Sequence, residues 1–229
     1  MNLAIVGYGK MGKLIEQLAP EYGCQALVKL DEFNNADYAG LTPENFKGVE
    51  VAVEFSTPAT VVENIERVSA LGVNLVVGTT GWTEHLDRVK DAVARNGTGL
   101  VWSPNFSIGV NVFFRLAAEA ARLLAPHEQY GAWAWEIHHH TKKDAPSGTL
   151  LKLVDGMKAA GYARAIDTAS SRAGAHPGTH EIGFDSSADT ITLRHTARSR
   201  EGFARGALTA AQWIAEKKGM YEFSEILFE

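Results

Sequence analysis

Asn2-Leu3-Ala4-Ile5-Val6-Gly7-Tyr8-Gly9-Lys10-Met11-Gly12-Lys13-Leu14-Ile15 runs from an unbroken apolar stretch, through three glycines, into residues that recur with Leu18 at helical spacing. That order predicts a buried strand, a tight turn and a helix. A second apolar run, Ala26 to Leu30, stops at Asp31 and Glu32 and completes a βαβ unit. Phe33 to Lys47 is polar and predicted irregular. Beyond it, Val49, Val51, Val53 and Phe55 alternate with Glu50, Ala52 and Glu54 as a strand, and Ser56-Thr57-Pro58 supplies an N-cap and first-turn proline for a helix ending near Gly72. Val73 to Val77 reads as a strand, Gly78-Thr79-Thr80-Gly81 as a turn, Thr83 to Arg95 as a helix and Leu100 to Trp102 as a strand. Repeated β-α alternation predicts a doubly wound parallel sheet.

From Gly109 the pattern changes. Phe113, Leu116, Ala117, Ala120, Leu123 and Leu124 form an apolar stripe, with Arg115, Glu119 and Arg122 at ion-pair spacing, so a long amphipathic helix is expected. Ala132 to His138 alternates as a strand, with Trp133, Trp135 and Ile137 on one face and Ala134, Glu136 and His138 on the other. A helix is expected from Ser147, antiparallel strands at Thr179 to Phe184 and Thr190 to Thr196, and a closing helix at Phe203 to Lys217. The second half is therefore read as α+β, with a domain seam near Asn105 to Gly109.

Composition narrows the function classes. With 229 residues, 45% of them hydrophobic, the chain has enough apolar content for a packed core. No apolar run approaches the roughly 18 residues that span a bilayer, so no membrane association is expected. A formal charge of -5 argues against bulk attraction to nucleic acid or anionic lipid. The single cysteine, Cys24, fits a reducing compartment, and a cytoplasmic protein is expected.

The glycine loop and Asp31, nineteen positions past Gly12, together form a Rossmann-like dinucleotide site. Gly7 permits the turn, Gly9 lets backbone approach a pyrophosphate, Gly12 allows close helix packing, and the helix N-terminus offers N–H groups to phosphate. Asp31 is placed to accept from an adenosine ribose. Asp31 and Glu32 oppose a 2'-phosphate whereas Lys10 attracts one, so NADH, NADPH or both are implied, with the balance towards NADH. Gly78, Thr79 and Thr80 follow a strand end, where open α/β sheets bind ligands.

The chemistry is expected in Glu136-Ile137-His138-His139-His140-Thr141-Lys142-Lys143-Asp144-Ala145-Pro146-Ser147-Gly148-Thr149. Five basic or potentially basic side chains within six residues of an acidic chain suit a dianionic small molecule. Ser147, Gly148 and Thr149 at a helix start add donors for carboxylate oxygens. His138 is the candidate proton donor, and the Lys142 ammonium the candidate stabiliser of charge that develops after hydride addition. No metal is expected, because neighbouring histidines on a strand face opposite ways and no HExxH spacing is present. Ser147 lacks a Gly-x-Ser-x-Gly elbow and is read as an N-cap, not a nucleophile. His176, His180 and His195 are taken as structural.

These residues resemble the 4-hydroxy-tetrahydrodipicolinate (dihydrodipicolinate) reductase family. The Glu136-x-His138-His139-x-x-Lys142-x-Asp144-Ala145-Pro146-Ser147-Gly148-Thr149 segment carries most of the likeness. The glycine loop, Glu54-Phe55-Ser56-x-Pro58, Gly78-Thr79-Thr80-Gly81, Asn105-Phe106-Ser107-x-Gly109-Val110-Asn111, Arg172-Ala173-Gly174, Gly178-x-His180, His195-x-Ala197-x-Ser199-Arg200 and Phe203-Ala204-x-Gly206-Ala207 support it. The resemblance implies His138 as proton donor, Lys142 as second catalytic group, and His139, Gly148 and Thr149 at the substrate. It implies nicotinamide-cofactor contacts from Gly7, Tyr8, Gly9, Lys10, Met11, Asp31, Gly78 to Thr80, and Ser103, Pro104, Asn105 and Phe106. It further implies a cyclic imine dicarboxylate substrate in diaminopimelate and lysine biosynthesis, a dinucleotide-binding domain of residues 1–106 and 200–229, and a substrate-binding and oligomerisation domain of residues 107–199 that assembles a homotetramer. Trp133, Ala134 and Leu150 depart from the family pattern, and the substrate domain is short. A related two-domain imine or carbonyl-acid reductase, or a non-catalytic dinucleotide sensor, shares the same scaffold features.

Overall fold

The computed structural model describes residues 1–228, and the chain divides into two compact units, Met1–Ile108 with Glu201–Glu229, and Gly109–Arg200. The first is built on six parallel strands: β1 (Asn2–Val6), β2 (Gln25–Leu30), β3 (Val51–Glu54), β4 (Asn74–Val77), β5 (Gly99–Trp102) and β10 (Gly219–Glu222), in the order β10-β5-β4-β3-β1-β2. Helices α1 (Lys10–Leu18), α2 (Val61–Ala70), α3 (Leu86–Asn96), α6 (Glu201–Ile214) and the short α7 (Phe223–Ile226) surround it.

The period-2 rule assigns the two faces of this sheet. Leu3, Ile5, Val51 and Val53 pack with Ile15, Leu18, Leu208 and Ile214, whereas Ala4, Val6, Ala52 and Leu75 pack with Val61, Ile65, Val89 and Val93. Each fully buried Val, Leu or Ile contributes roughly 1.5–3 kcal/mol, so this double-sided core is the main support of the unit. Because β3 lies between β1 and β4, all four of its residues are buried, Glu54 included. The alternation in sequence thus does not separate a wet face from a dry one there.

The expected N-cap at Ser56 is not used. Helix α2 begins at Val61 after Thr60, while the Ser56 hydroxyl turns back to Glu54. The chain also does not close on a helix at Lys217: β10 follows and pairs with β5, and α7 follows that. Its residues, Gly-Met-Tyr-Glu, are too few for periodicity to declare.

The second unit carries a mixed sheet in the order β7-β6-β8-β9, with β6 (Gly131–His138), β7 (Ile166–Arg172), β8 (Thr179–Asp185) and β9 (Thr190–Thr196). Strands β6 and β7 run parallel, and β8 is antiparallel to both β6 and β9. One face packs Ala132, Ala134, Ile182 and Phe184 against Phe113, Ala117 and Ala121 of α4 (Ile108–Leu124) and Leu150, Leu153 and Met157 of α5 (Gly148–Ala159). The α4 stripe is turned from the expected one, for Leu116 and Leu123 are half-exposed while Val110 and Ala121 are buried. Strand β7 escaped the sequence reading because Ile-Asp-Thr-Ala-Ser-Ser-Arg lies at a sheet edge and is mostly exposed, so no apolar face is required of it.

Candidate functional site

Four of the segments read as cofactor-binding follow the carboxyl ends of parallel strands: the glycine loop after β1, Asp31 after β2, Gly78 to Thr80 after β4, and Ser103 to Phe106 after β5. Strand β1 has β2 on one side and β3 on the other, so the connection reverses there, which is where open α/β sheets form their ligand crevice. Gly7 sits at φ +96, and a Cβ on it would lie 2.2 Å from the Phe55 carbonyl oxygen. Only glycine fits. A Cβ on Gly9, by contrast, would meet nothing within 4 Å, and Gly9 caps α1 without any side-chain hydrogen bond. The first-turn N–H groups of α1 are therefore not claimed by a capping side chain.

Two cavities adjoin this loop. One of about 650 Å³ is lined by Gly7, Tyr8, Gly9 and Asp31, and one of about 470 Å³ by Gly9, Lys10, Met11 and Gly78 to Thr80. Together they suit an extended dinucleotide. Asp31 is pinned by an Asx turn, its Oδ1 accepting from Phe33 N at 2.9 Å and Asn34 N at 3.1 Å. The Tyr8 hydroxyl donates to Glu16, which also pairs with Lys29 at 2.8 Å. Gly12 and Ser103 to Phe106 do not line either cavity. Phe106 is buried between Phe55 and Phe223, so its side chain serves the core, and Ser103 and Asn105 interlock in a turn through Ser103 Oγ and Asn105 O at 2.8 Å.

Phe55 and Ser56 line both cavities, a role that the sequence did not assign them. Beneath them lies Glu54, fully buried. Burial pushes its carboxyl above the ordinary range, against hydrogen bonds from Ser56 and Asn64 that lower it. The strand-like Glu54-Phe55-Ser56 run was visible, but nothing local marks a buried acid.

The second unit assembles its polar cluster by strand register. Glu136 and His138 are two residues apart on β6 and point to the same, covered face; His138 lies opposite Arg172 of β7, and Glu136 opposite His180 of β8. Glu136 Oε1 accepts from Arg172 Nη2 at 2.9 Å and from Ser147 N at 3.1 Å, while its other oxygen contacts His138 Nδ1. Ser147 Oγ accepts from Leu150 N at 3.2 Å, as an N-cap should, and pairs with His180 Nε2 at 3.0 Å.

Burial raises the Glu136 carboxyl, but the Arg172, Ser170 and Ser147 hydrogen bonds and the His138 charge outweigh it and hold the group below its ordinary range. Burial pushes the His138 imidazole down, with Glu136 opposing and Lys142 and Arg172 assisting the fall. His180 is pushed down to about 4, first by burial and then by His138. Lys142 Nζ holds Asp144 at 2.7 Å, which lowers the Asp144 carboxyl. His139 Nδ1 pairs with Thr141 Oγ1 at 2.7 Å, and Gly148 stands exposed at the start of α5 with Thr149 beside it.

Glu136, His138 and His180 bring one candidate ligand atom each within 4.8 Å of the others. The Arg172 guanidinium already occupies the carboxylate and repels a second cation, so the trio reads as part of a polar network joined through Arg172 and Ser147. The sequence missed the parts of Arg172 and His180 because register, which sets these contacts, is not written in either residue's neighbourhood.

Residues 1–106 match the family model for the dihydrodipicolinate reductase N-terminus, and residues 109–227 that for its C-terminus. The chain is 33% identical over 240 residues to the 4-hydroxy-tetrahydrodipicolinate reductase of Christiangramia forsetii, covering 99% of this chain and 98% of the relative. It is 34% identical over 231 residues to the enzyme of that name from Thermosipho africanus, covering 100% and 99%. The fold is shared with a dipicolinate-bound dihydrodipicolinate reductase from Paenisporosarcina sp. TG-14, at a TM-score of 0.83 with 24% identity and 99% of each chain covered. An amine dehydrogenase from Mycobacterium smegmatis superposes less closely, at a TM-score of 0.65 with 10% identity, 98% of this chain and 95% of that one. With both halves matched and whole-length relatives above 30% identity, the chain belongs to the dihydrodipicolinate reductase family.

Proposed function

We propose that this protein reduces 4-hydroxy-tetrahydrodipicolinate to tetrahydrodipicolinate with NADH or NADPH, in diaminopimelate and lysine biosynthesis. The observation that carries the reading is the cluster in the second unit, where His138, Lys142 and the N-terminus of α5 combine a proton source, a fixed positive charge and carboxylate donors.

The nicotinamide cofactor, when bound, supplies a hydride. Gly7 to Met11 and the α1 N-terminus hold its phosphates, Asp31 its ribose, and Gly78 to Thr80 line its nicotinamide side. Ser147, Gly148 and Thr149 bind one substrate carboxylate through hydroxyl and N–H donors, and His139 assists. The ring hydroxyl and a hydrogen of the adjacent ring carbon leave together as water, which gives a conjugated imine; with hydride supplied to it by the bound cofactor, His138 would give the ring the one proton that completes the reduction. Lys142 stabilises the negative charge that develops meanwhile. Ser103 to Asn105 and Phe106 shape the loop beside the cofactor through backbone, Phe106 from within the core.

NADH is the preferred cofactor in this reading, since the adjacent carboxylates of Asp31 and Glu32 oppose a 2'-phosphate. The domains are residues 1–106 with 200–229 for the dinucleotide, and 107–199 for substrate and assembly. A homotetramer is favoured by the outer face of β6, where Trp133, Trp135 and Ile137 are only half-buried. Among the described residues no helix is long and apolar enough to cross a membrane. The acidic charge balance and the single cysteine of the sequence support a cytoplasmic enzyme without nucleic-acid or membrane partners.

The test is oxidation of NADH and, separately, NADPH upon addition of freshly generated 4-hydroxy-tetrahydrodipicolinate. Rapid, substrate-dependent oxidation with NADH favoured is expected. Folded protein that binds NADH but oxidises neither cofactor would overturn the reading and leave the sensor or another imine substrate.

A further inference from the structure

We infer that Glu136 is a positioning residue that fixes which nitrogen of His138 meets the substrate and how readily that imidazole holds its proton. The inference deepens the reading of His138 as proton donor and rests on it. Glu136 is wholly buried, yet carboxylates are rarely buried without a purpose that offsets their desolvation. Its oxygens are shared among Arg172 Nη2, Ser147 N and His138 Nδ1. With the carboxylate ionised, Nδ1 can only donate to it, which leaves Nε2 as the outward nitrogen.

The opposite side of the ring agrees. A Cβ on Gly178 would stand 2.9 Å from His138 Nε2, and Gly178 itself has φ +139, a conformation side chains disfavour. Only a residue without a side chain can sit this close to Nε2. Thus one ring nitrogen is claimed by a buried acid while the other has a glycine beside it. Glu136 also accepts the Ser147 N–H, so the same carboxylate ties the start of α5, where substrate carboxylate is proposed to bind, to the orientation of the acid.

The groups around the ring set the sign of any charge effect. Glu136 from β6 favours imidazolium; Arg172 from β7 and Lys142 from the following loop oppose it. His180 from β8 faces the ring at 5.1 Å between centroids, His195 of β9 acts on His180, and Ser147, the N-cap of α5, is bonded to His180. Removing the Glu136 charge must therefore lower the pH at which His138 titrates, and removing the Arg172 charge must raise it.

The experiment is nitrogen NMR of histidine-labelled full-length protein, with His138 assigned by its Gln variant, across a pH series for wild type, Glu136→Gln and Arg172→Gln, beside pH profiles of kcat/KM. In the wild type, neutral His138 should carry its proton on Nδ1. In Glu136→Gln the titration should move down by about one unit or more, tenfold in proton affinity, and the alkaline limb of kcat/KM should move with it while the NADH Kd stays within about twofold. Arg172→Gln should move both upward, and it serves where Glu136→Gln does not fold. An unchanged His138 tautomer and titration in the folded variants would overturn the inference. Full turnover in His138→Gln would instead overturn the proton-donor reading, whatever the NMR of the Glu136 variant shows.

Discussion

The glycine loop after β1 and the Glu136 cluster on β6 both place polar groups at the end of a strand, but they are made of different material. In the loop the offer of hydrogen bonds falls to backbone: Gly7 is forced by a carbonyl 2.2 Å from its absent Cβ, and Gly9 leaves open space at the N-terminus of α1, which no side chain caps. In the cluster it falls to side chains from β6, β7, β8 and α5, each bonded to the next. A backbone site depends on a few glycines and tolerates change in most side chains around it. A side-chain network fails wherever one member is removed, because the partners are left buried and charged.

The largest expected effect lies in the network. His138→Gln should lower turnover by roughly 10² to 10⁴, measured in the steady state, because a positioned proton donor contributes about that much. Equal turnover in the variant would break the comparison at its side-chain end.

Next come the two loop glycines, which should fail in different ways. Gly7→Ala combines a disfavoured φ with a collision against fixed backbone, costing roughly 2–6 kcal/mol of stability by denaturant unfolding. Gly9→Ala meets no neighbour, so its stability should stay within about 1 kcal/mol while NADH affinity falls by about tenfold or more in calorimetry. If Gly9→Ala binds NADH normally, the pyrophosphate does not approach that backbone.

Mild acid should weaken the network. His180 binds a proton at 6.5 when unfolded but only near a pH of about 4 in the native protein, so the unfolded state holds more protons between those values. Stability should be full above pH 6.5 and fall as the pH drops towards 4, by on the order of 3 kcal/mol from this group. His138 and His195, also lowered first by burial, act in the same direction. His180→Asn should flatten the decline in urea unfolding at a series of pH values, and an unaltered slope would remove His180 from the account.

The smallest change concerns cofactor choice. Asp31→Asn should shift the ratio of kcat/KM for NADH over NADPH towards NADPH by about tenfold, roughly 1.4 kcal/mol, as the charge opposing a 2'-phosphate is lost. The Asx turn through Asp31 Oδ1 can survive in asparagine, so the fold should be unaffected.

The same contrast explains what could be read from sequence. The β1-loop-α1 unit announces itself because three glycines, an apolar run and a helical stripe are consecutive, and the parallel sheet follows from repeated alternation. Strand β6, the Ser147 cap and the antiparallel pairing of β8 with β9 were likewise local. Strand β7 and β10 were silent, the one an exposed edge and the other four residues long. Ser56 misled because its hydroxyl found a buried carboxylate instead of a helix N–H. The parts of Glu136, Arg172 and His180 depend on which residues register brings face to face, His138 with Arg172 and Glu136 with His180, pairs far apart along the chain that no local pattern encodes.

In the proposed reaction, hydride and proton are served by separate machinery, backbone in one unit and side chains in the other. The most direct measurement is NADH binding and turnover on the same preparation of His138→Gln. An NADH Kd within about twofold of wild type is expected, with turnover lower by about a hundredfold or more. A Kd that collapses together with turnover, or turnover that does not fall, would contradict that separation.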